Sequence, residues 1–276
     1  MCVLSKTLIF IVAIALASCS NQNVSRSDAE DLASDKPVAQ DSIEMPESYR
    51  YLYSQALEGN PRAQFNIGLL FFGGKEIARD YASAYRWFER AAEQGLAQAQ
   101  NSIGLMYSGG LGVTKNRKEA LAWYKLAANQ GLAEAQFNLG NSYHWGRGVA
   151  SDHHEAFKWY SRAAKQGFAP AQLNLGTLYA NGRGVDKDPN QAIIWYELAA
   201  KQGDVIAMSN LAFHYFDGDG IAQDYEKAFM WWKVASYTDE WEGARRSRLV
   251  PLMTVSQREK AERLAQICYE SNYVKC

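Results

Sequence analysis

The sequence predicts an all-α fold: an α-solenoid of five tandem helix–turn–helix repeats of 36 residues, with capping helices at both ends. The first observation is a glycine every 36 residues, which defines position 1 of each repeat at Gly59, Gly95, Gly131, Gly167 and Gly203. The second is that positions 5 and 26 are Ala and position 29 is Trp in all five repeats. The third is the spacing of apolar residues at positions 5, 9 and 13, which gives a first helix one apolar face.

A second helix follows in each repeat, with its apolar face at positions 26, 29, 30, 33 and 34. Position 22 always offers a capping side chain, at Asp80, Asn116, Asp152, Asp188 and Asp224. The position-1 glycine suits the residue that follows the end of this helix. Turns such as Gly146-Arg147-Gly148-Val149 separate the two helices, and their glycines permit a tight reversal.

Position 10 is a glycine inside the first helix in four repeats, at Gly68, Gly104, Gly140 and Gly176. A glycine within a helix costs about 1 kcal/mol relative to alanine, so four in register imply the close approach of another helix. We expect the Trp of position 29 to lie over this glycine, and the Trp column to belong to the core.

The chain ends differ from the repeats. Lys6 precedes an apolar stretch, residues 7–16, which is too short to span a bilayer and is typical of a signal peptide. An acidic segment with almost no aromatic residues follows, and it predicts a flexible tether. The predicted organisation is a signal peptide (1–18), a tether (19–45), an N-terminal capping helix (46–58), five repeats (59–94, 95–130, 131–166, 167–202 and 203–238) and C-terminal capping helices (239–276).

The predicted C-terminal cap contains helices over 240–250 and 255–271. Thr254 and Gln257 are expected to open the last helix, and Leu264, Ile267 and Cys268 to form its buried face. Cys268 and Cys276 are candidates for a disulfide, and the alternatives are two free thiols or disorder at Cys276.

Composition and motifs argue against several classes of function. The net charge is −1 with no basic stripe, so nucleic acid is not an expected partner. His153-His154-Glu155 lacks a second helical metal ligand because Lys158 occupies that place, and both histidines are expected to be exposed. The glycine-rich turns follow no strand and precede no Gly-Lys-Ser/Thr. Since no nucleophile has a neighbouring base, the sequence predicts no enzyme, no cofactor and no metal site.

The third repeat carries the full pattern of a known family. Its Asn138-Leu139-Gly140, Tyr143, Gly-Arg-Gly-Val turn, Trp159-Tyr160 and Ala163-Ala164 resemble the Sel1-like repeat, a relative of the tetratricopeptide repeat. Repeat one departs from the pattern at Glu76, and repeat five departs at Ala212 and Ser236. These are terminal repeats, where one neighbour is missing.

A second resemblance concerns export. Leu16-Ala17-Ser18-Cys19 resembles the bacterial lipobox, which implies that Cys19 becomes a lipid-modified, palmitate-bearing N-terminus. Ser20 is not the aspartate associated with inner-membrane retention, so the resemblance implies outer-membrane anchoring, facing the periplasm. Ordinary signal cleavage near Ala17 is the alternative.

The resemblances imply a lipid-anchored scaffold or adaptor of the cell envelope that binds protein partners through the concave face of the solenoid. The alternative is a cell-wall protein that binds or hydrolyses peptidoglycan or penicillin, an activity attributed to cysteine-rich members of the family. Those members carry cysteine pairs within each repeat, whereas this chain has no cysteine between residues 20 and 267.

Partner-binding residues are expected in the first helices, at the variable positions 11, 12, 14 and 15 and at the recurring Asn of position 8. The candidates are Phe72, Asn138, His144, Trp145, Asn174, Phe213, His214 and Phe216. Phe72, Trp145 and Phe216 are predicted to be exposed aromatic anchors. Two alternatives stay open: some aromatic residues pack between repeats, and the asparagines tie neighbouring repeats together instead of binding a peptide.

Overall fold

The computed structural model of the chain describes residues 45–237 and 248–276. The predicted signal peptide, the lipid attachment at Cys19, the acidic tether and most of the predicted 240–250 helix lie outside the described residues.

The described part of the chain is all-helical, with twelve α-helices, no strands and short 3-10 turns at Glu47–Tyr49 and Val250–Leu252. The helices are α1 (Arg50–Leu57), α2 (Pro61–Gly73), α3 (Tyr81–Glu93), α4 (Ala97–Gly109), α5 (Arg117–Asn129), α6 (Ala133–Trp145), α7 (His153–Lys165), α8 (Ala169–Asn181), α9 (Pro189–Ala200), α10 (Val205–Asp217), α11 (Tyr225–Ala235) and α12 (Val255–Glu270). Each repeat therefore contributes the predicted pair of helices. None of the described helices is both long and apolar enough to cross a bilayer.

The described residues divide into two compact units, the first ending at residue 120 and the second beginning at residue 121. In the first unit, α1 packs against α2, α2 against α3, and α3 against α4. In the second, the same holds from α6 through to α12. Helix α5 begins in the first unit and ends in the second.

Helix starts are capped as predicted. The side chains at position 22 accept hydrogen bonds from backbone N–H groups in the first turn of α3, α5, α7, α9 and α11. In α7, for example, Asp152 accepts from His154 and Glu155. These bonds satisfy donors that the helix itself leaves without a partner.

The mid-helix glycines do allow a close approach, but the expectation of Trp above them is wrong. A Cβ built on Gly140 would lie 2.6 Å from ring carbons of Tyr160, and the same relationship joins Gly68 to Phe88 and Gly176 to Tyr196. The aromatic residue at position 30 therefore faces the glycine. Neighbouring residues on a helix point about 100° apart, so position 29 faces elsewhere when position 30 faces the glycine.

The Trp column is only partly a core column. Trp87 and Trp231 are buried, whereas Trp123, Trp159 and Trp195 in the three middle repeats are half-buried. The Arg162 guanidinium carbon lies 4.4 Å from the centre of the Trp159 ring. A cation therefore lies over one face of this half-buried ring.

The second turn glycine has a packing reason. At Gly112, Gly184 and Gly220, a Cβ would collide with the backbone at the start of the second helix of the preceding repeat, and φ is positive at all three. Repeat one has no preceding repeat, which explains why Glu76 is tolerated at this position.

The C-terminal helix begins as predicted and buries a different face. Thr254 and Gln257 form a reciprocal capping box. Ala261, Ala265 and Cys268 are buried, whereas Leu264 and Ile267 are 39% and 47% exposed, so their predicted burial is wrong. The buried face is narrow because small residues let α12 approach α11 closely.

The chain end folds back on α12. A disulfide joins Cys268 to Cys276, whose Cα atoms are 4.6 Å apart. The Tyr273 ring lies against Gly203, and Asn272 and Tyr273 both have positive φ.

Candidate functional site

The candidate site is a groove in the second unit, between α8 and α10. It has a volume of about 400 Å³, and most of its lining comes from the variable positions of first helices at which partner binding was predicted. The lining residues are Thr177, Ala180, Asn181, Lys187, Tyr196, Asn210, Phe213, His214, Asp217 and Asp219. The repeat places these residues together because α8 and α10 are the first helices of consecutive repeats.

The floor of the groove is polar. The Tyr196 hydroxyl donates to Thr177 Oγ1 at 3.3 Å, and the Asn210 side chain also hydrogen-bonds to Tyr196. Burial raises the pKa of Tyr196, and the bonds to Thr177 and Asn210 only partly oppose this effect. The phenol therefore stays neutral and acts as a donor at physiological pH.

Charged groups line the rim. Lys187 Nζ lies 3.6 Å from a carboxylate oxygen of Asp219, and both side chains are about half exposed. Asp217 is exposed at the end of α10. His214, a predicted binding residue, is only 9% exposed, and its Nδ1 lies 2.8 Å from the Asp219 carbonyl oxygen. This contact fixes the loop that follows α10, so His214 shapes the groove from below.

Two of the three predicted aromatic anchors are not exposed as expected. Phe72 is 8% exposed and packs edge-on against Tyr81, so the prediction of an exposed ring there is wrong. Phe216 is half-buried against Trp232 and Tyr225. Residues at position 14 of the two terminal repeats therefore cover the start of their own second helix.

The other aromatic candidates behave differently from one another. Phe213 is half-buried, with its ring centre 5.1 Å from that of Trp232, and it still lines the groove. Trp145 is 63% exposed at the C-terminal end of α6. The half-buried His144 lies beside it, with its ring centre 4.5 Å from that of Trp145. Trp145 is therefore the candidate anchor whose ring is accessible.

The contacts of the recurring asparagines support the alternative in which these side chains link neighbouring repeats. Asn174 Nδ2 lies 3.4 Å from Asn141 Oδ1, and that oxygen also accepts the Tyr160 hydroxyl at 2.6 Å. Asn138 is half-buried. At Asn174, at least, the amide links repeat four to repeat three, and only Asn210 among these asparagines lines the groove.

Sequence reasoning missed a ladder of glutamines at position 6. Their Nε2 atoms donate to a main-chain oxygen at the end of the preceding helix, in Gln64, Gln100, Gln136 and Gln172. A second glutamine, at position 36, donates to the first at 2.8 Å in three repeats. The signal was visible as a column of Gln in four repeats, and its role is to join successive helix pairs.

A further cavity lies in the first unit, away from the predicted positions. It has a volume of about 480 Å³ and is lined by Tyr85, Tyr107, Val113, Thr114, Lys115, Asn116 and Glu119. The hydroxyls of Tyr85 and Tyr107 are 3.1 Å apart, and Tyr85 donates to Glu89 at 2.7 Å. Burial, followed by these two contacts, raises the pKa of Tyr85. The phenol thus remains a neutral donor that is already engaged.

The chemistry available in the groove is recognition chemistry: amide and hydroxyl groups on the floor, and the exposed Asp217 carboxylate and an ion pair on the rim. In residues 45–237 and 248–276, no group of three or more His, Cys, Asp or Glu side chains is placed to hold a metal ion.

The comparisons with known proteins agree with the geometry. The Sel1 repeat family matches residues 61–96, 97–132, 133–168, 169–204 and 205–237. A protective antigen present in uropathogenic Escherichia coli strains, which displays the same repeat fold, is 32% identical with a TM-score of 0.71. That match covers 82% of this chain, and this chain spans only about half (52%) of the antigen's length.

A second solved structure, a Sel1 repeat protein from Oxalobacter formigenes, is 36% identical with a TM-score of 0.65. The match covers 70% of this chain and 80% of that protein. None of the curated proteins matches the sequence significantly.

Proposed function

We propose, from the premise that the chain belongs to the Sel1 repeat family, that it is a lipid-anchored adaptor of the bacterial cell envelope that binds protein partners. The Sel1 repeat fold is typically used for protein–protein interaction, and the family is generally a non-catalytic scaffold. The proposal adds a binding site, the groove between α8 and α10, and a location, the periplasmic side of the outer membrane.

The single observation that carries the binding site is the composition of that groove. Its walls are the variable positions of two successive first helices, and its floor is formed by the hydrogen-bonded side chains of Tyr196, Thr177 and Asn210. An extended protein segment needs donors and acceptors for its backbone, together with space for its side chains. A groove of about 400 Å³ accommodates a few residues of such a segment.

Two observations support the envelope location. The Cys268–Cys276 disulfide suits an oxidising compartment. One similar protein is described as a protective antigen in uropathogenic Escherichia coli, which fits a protein that is exported. The lipid anchor itself rests on the lipobox-like segment that ends at Cys19.

The test is in-cell crosslinking followed by affinity capture and mass spectrometry, with the native chain and two variants. Asp217→Arg places a long cation at the end of the groove, where the native carboxylate is exposed. Lys201→Glu is the matched control, since it reverses one exposed charge at the end of α9, outside the groove lining. Thermal melting of both variants checks that the fold is intact.

The proposal predicts one defined protein partner, recovered with the native chain and with Lys201→Glu and lost with Asp217→Arg. Mass spectrometry of the N-terminal peptide should show an acyl group on Cys19. If no protein partner is recovered and the purified chain binds cell-wall fragments, the adaptor proposal is wrong and the cell-wall alternative is supported.

A further inference from the structure

A cationic corner lies at one end of the third repeat, outside the groove. We use this name for His144 and Trp145 at the end of α6, His153 at the start of α7 and Arg183 in the turn after α8. The turn is held against α7, because His154 Nδ1 lies 3.2 Å from the Gly184 carbonyl oxygen. Trp145 is 63% exposed and Arg183 is exposed, so the corner opens to solvent.

The rings of the corner form a fixed stack. The His144 ring centre lies 4.5 Å from that of Trp145, nearly edge-on, and 4.8 Å from that of His153. The Tyr160 ring closes the buried side, 6.3 Å from His144. Trp145 is therefore held in place although it is exposed, and a rigid exposed aromatic loses little entropy when it binds a partner.

Two ring nitrogens of the corner lack hydrogen-bond partners. His153 is half-buried, so the prediction that it is exposed is wrong. The Nδ1 atoms of His144 and His153 are buried, and neither has a partner within the described residues. An unpaired buried polar atom costs free energy and calls for a reason. Two such atoms lie on adjacent rings of the corner.

The charges that act on His144 are all of one sign. Burial, then His153 and then Arg183 lower the pKa of His144, and no carboxylate opposes them. The neighbouring acids are engaged elsewhere: Asp152 accepts two backbone N–H groups of α7, and Glu155 pairs with Lys158 at 2.7 Å. The exposed Arg183 guanidinium is the permanent positive charge of the corner, and an anion would neutralise it.

We propose that the cationic corner binds a carboxylate-bearing segment of the partner protein, with the carboxylate on Arg183 and His144 and an adjacent apolar residue on Trp145. The inference rests on the proposed adaptor function and names the chemistry of its partner, an acidic segment. Arg183 supplies the planar, permanently charged donor that pairs well with carboxylates.

Proton linkage follows from this geometry. The groups that face His144 are the rings of Trp145, His153 and Tyr160 and the charge of Arg183. A bound carboxylate would favour the protonated imidazole, so binding takes up a proton at His144. The affinity for an acidic segment should therefore rise as the pH falls through the range in which histidine titrates.

The test uses the purified chain and a fluorescent peptide of three Glu-Phe-Glu-Gly units, with a matched peptide in which Gln replaces every Glu. Fluorescence anisotropy gives the Kd at about pH 7.5 and about pH 6, on either side of the ordinary histidine pKa. We expect the Glu peptide to bind with a lower Kd than the Gln peptide. We also expect its Kd to be lower at about pH 6 than at about pH 7.5.

Three variants locate the site. Arg183→Gln should weaken binding of the Glu peptide about tenfold, the effect of losing one charge-assisted hydrogen bond. His144→Gln should remove the pH dependence, while Lys201→Gln, an equal loss of one exposed charge at the end of α9, should leave the Kd unchanged. Melting curves confirm that each variant is folded.

Equal binding of the Glu and Gln peptides, or an unchanged Kd in Arg183→Gln, would overturn the inference. The adaptor proposal is tested separately, by adding Arg183→Gln to the partner capture described above. A partner that is lost with Asp217→Arg and retained with Arg183→Gln would leave the groove as the binding site and eliminate the corner.

Discussion

The ring of Tyr160 occupies the space that a side chain on Gly140 would need, because a Cβ at Gly140 would lie 2.6 Å from two of its ring carbons. From that position the Tyr160 hydroxyl reaches Asn141 Oδ1, 2.6 Å away. One pair of positions therefore sets the distance between the two helices of a repeat and also joins them by a hydrogen bond.

This relationship predicts that Gly140→Leu destabilises the chain by about 3 kcal/mol through overpacking. The free energy of unfolding is measured by urea denaturation. The control is Gly73→Ala at the end of α2, where an added Cβ meets nothing within 4 Å. That variant should be neutral or slightly stabilising. Equal stability of Gly140→Leu and the native chain would contradict the packing described here.

A second prediction separates positions 29 and 30. Tyr160→Ala should cost about 3–5 kcal/mol, because it empties a fully buried site beneath Gly140. Trp159→Ala should cost less, about 1–2 kcal/mol, since that ring is half-buried and faces Arg162. Denaturation curves of the two variants give the two losses of unfolding free energy. A larger loss for Trp159→Ala than for Tyr160→Ala would show that the Trp is the core residue.

The repeats and their boundaries could be predicted because the same residues recur at the same repeat positions. The helix caps and tight turns could be predicted because they depend on local chemistry. The residue that faces Gly140 could not be predicted in the same way. Trp159 and Tyr160 are adjacent, both aromatic and both recur, so only the rotation of α7 about its axis distinguishes them.

The repeat positions that line the candidate site could be predicted from the sequence. Which of the side chains at those positions are exposed could not. Positions 8, 11 and 15 do line the groove at Asn210, Thr177 and Asn181. Phe72 was mistaken for a surface anchor because its burial depends on Tyr81, nine residues further along the chain. The neighbours of an aromatic residue at the end of a first helix come from the start of the next helix, and periodicity carries no information about them.

Helix capping gives a pH-dependent prediction at Asp152. Its hydrogen bond from the Glu155 backbone N–H, and then that from His154, lower the pKa of the carboxyl group below its ordinary value. A lowered pKa means that the stabilisation is present above the unfolded-state pKa and is lost as the pH falls through the folded-state value. The native chain should therefore lose this contribution below about pH 4.

The matched variant is Asp152→Asn, which keeps a side-chain oxygen for the cap and removes the titration. Asn116 already performs this role in the second repeat. Urea midpoints between neutral and acidic pH should fall less steeply for Asp152→Asn than for the native chain. If the urea midpoints of the two proteins fall equally with pH, the charge of Asp152 makes no contribution to stability.

The disulfide at the chain end gives a further prediction. Cys276→Ser should lower the stability by about 2–3 kcal/mol, the chain-entropy value for a short closed loop. The bond also holds Asn272 and Tyr273 at positive φ, with the Tyr273 ring on Gly203. A reductant should lower the melting temperature of the native chain and leave Cys276→Ser unchanged, and a native chain that is indifferent to reductant would contradict this role.

Site-specific photocrosslinking in living cells tests most directly whether the groove between α8 and α10 binds a protein partner. A benzophenone amino acid replaces Asn181, which is exposed in the groove lining, or Lys201, which is exposed outside that lining. We expect one discrete protein adduct from position 181 and none from position 201. Adducts of equal yield from both positions, or from position 201 alone, would show that the groove between α8 and α10 is not where this protein binds its partner.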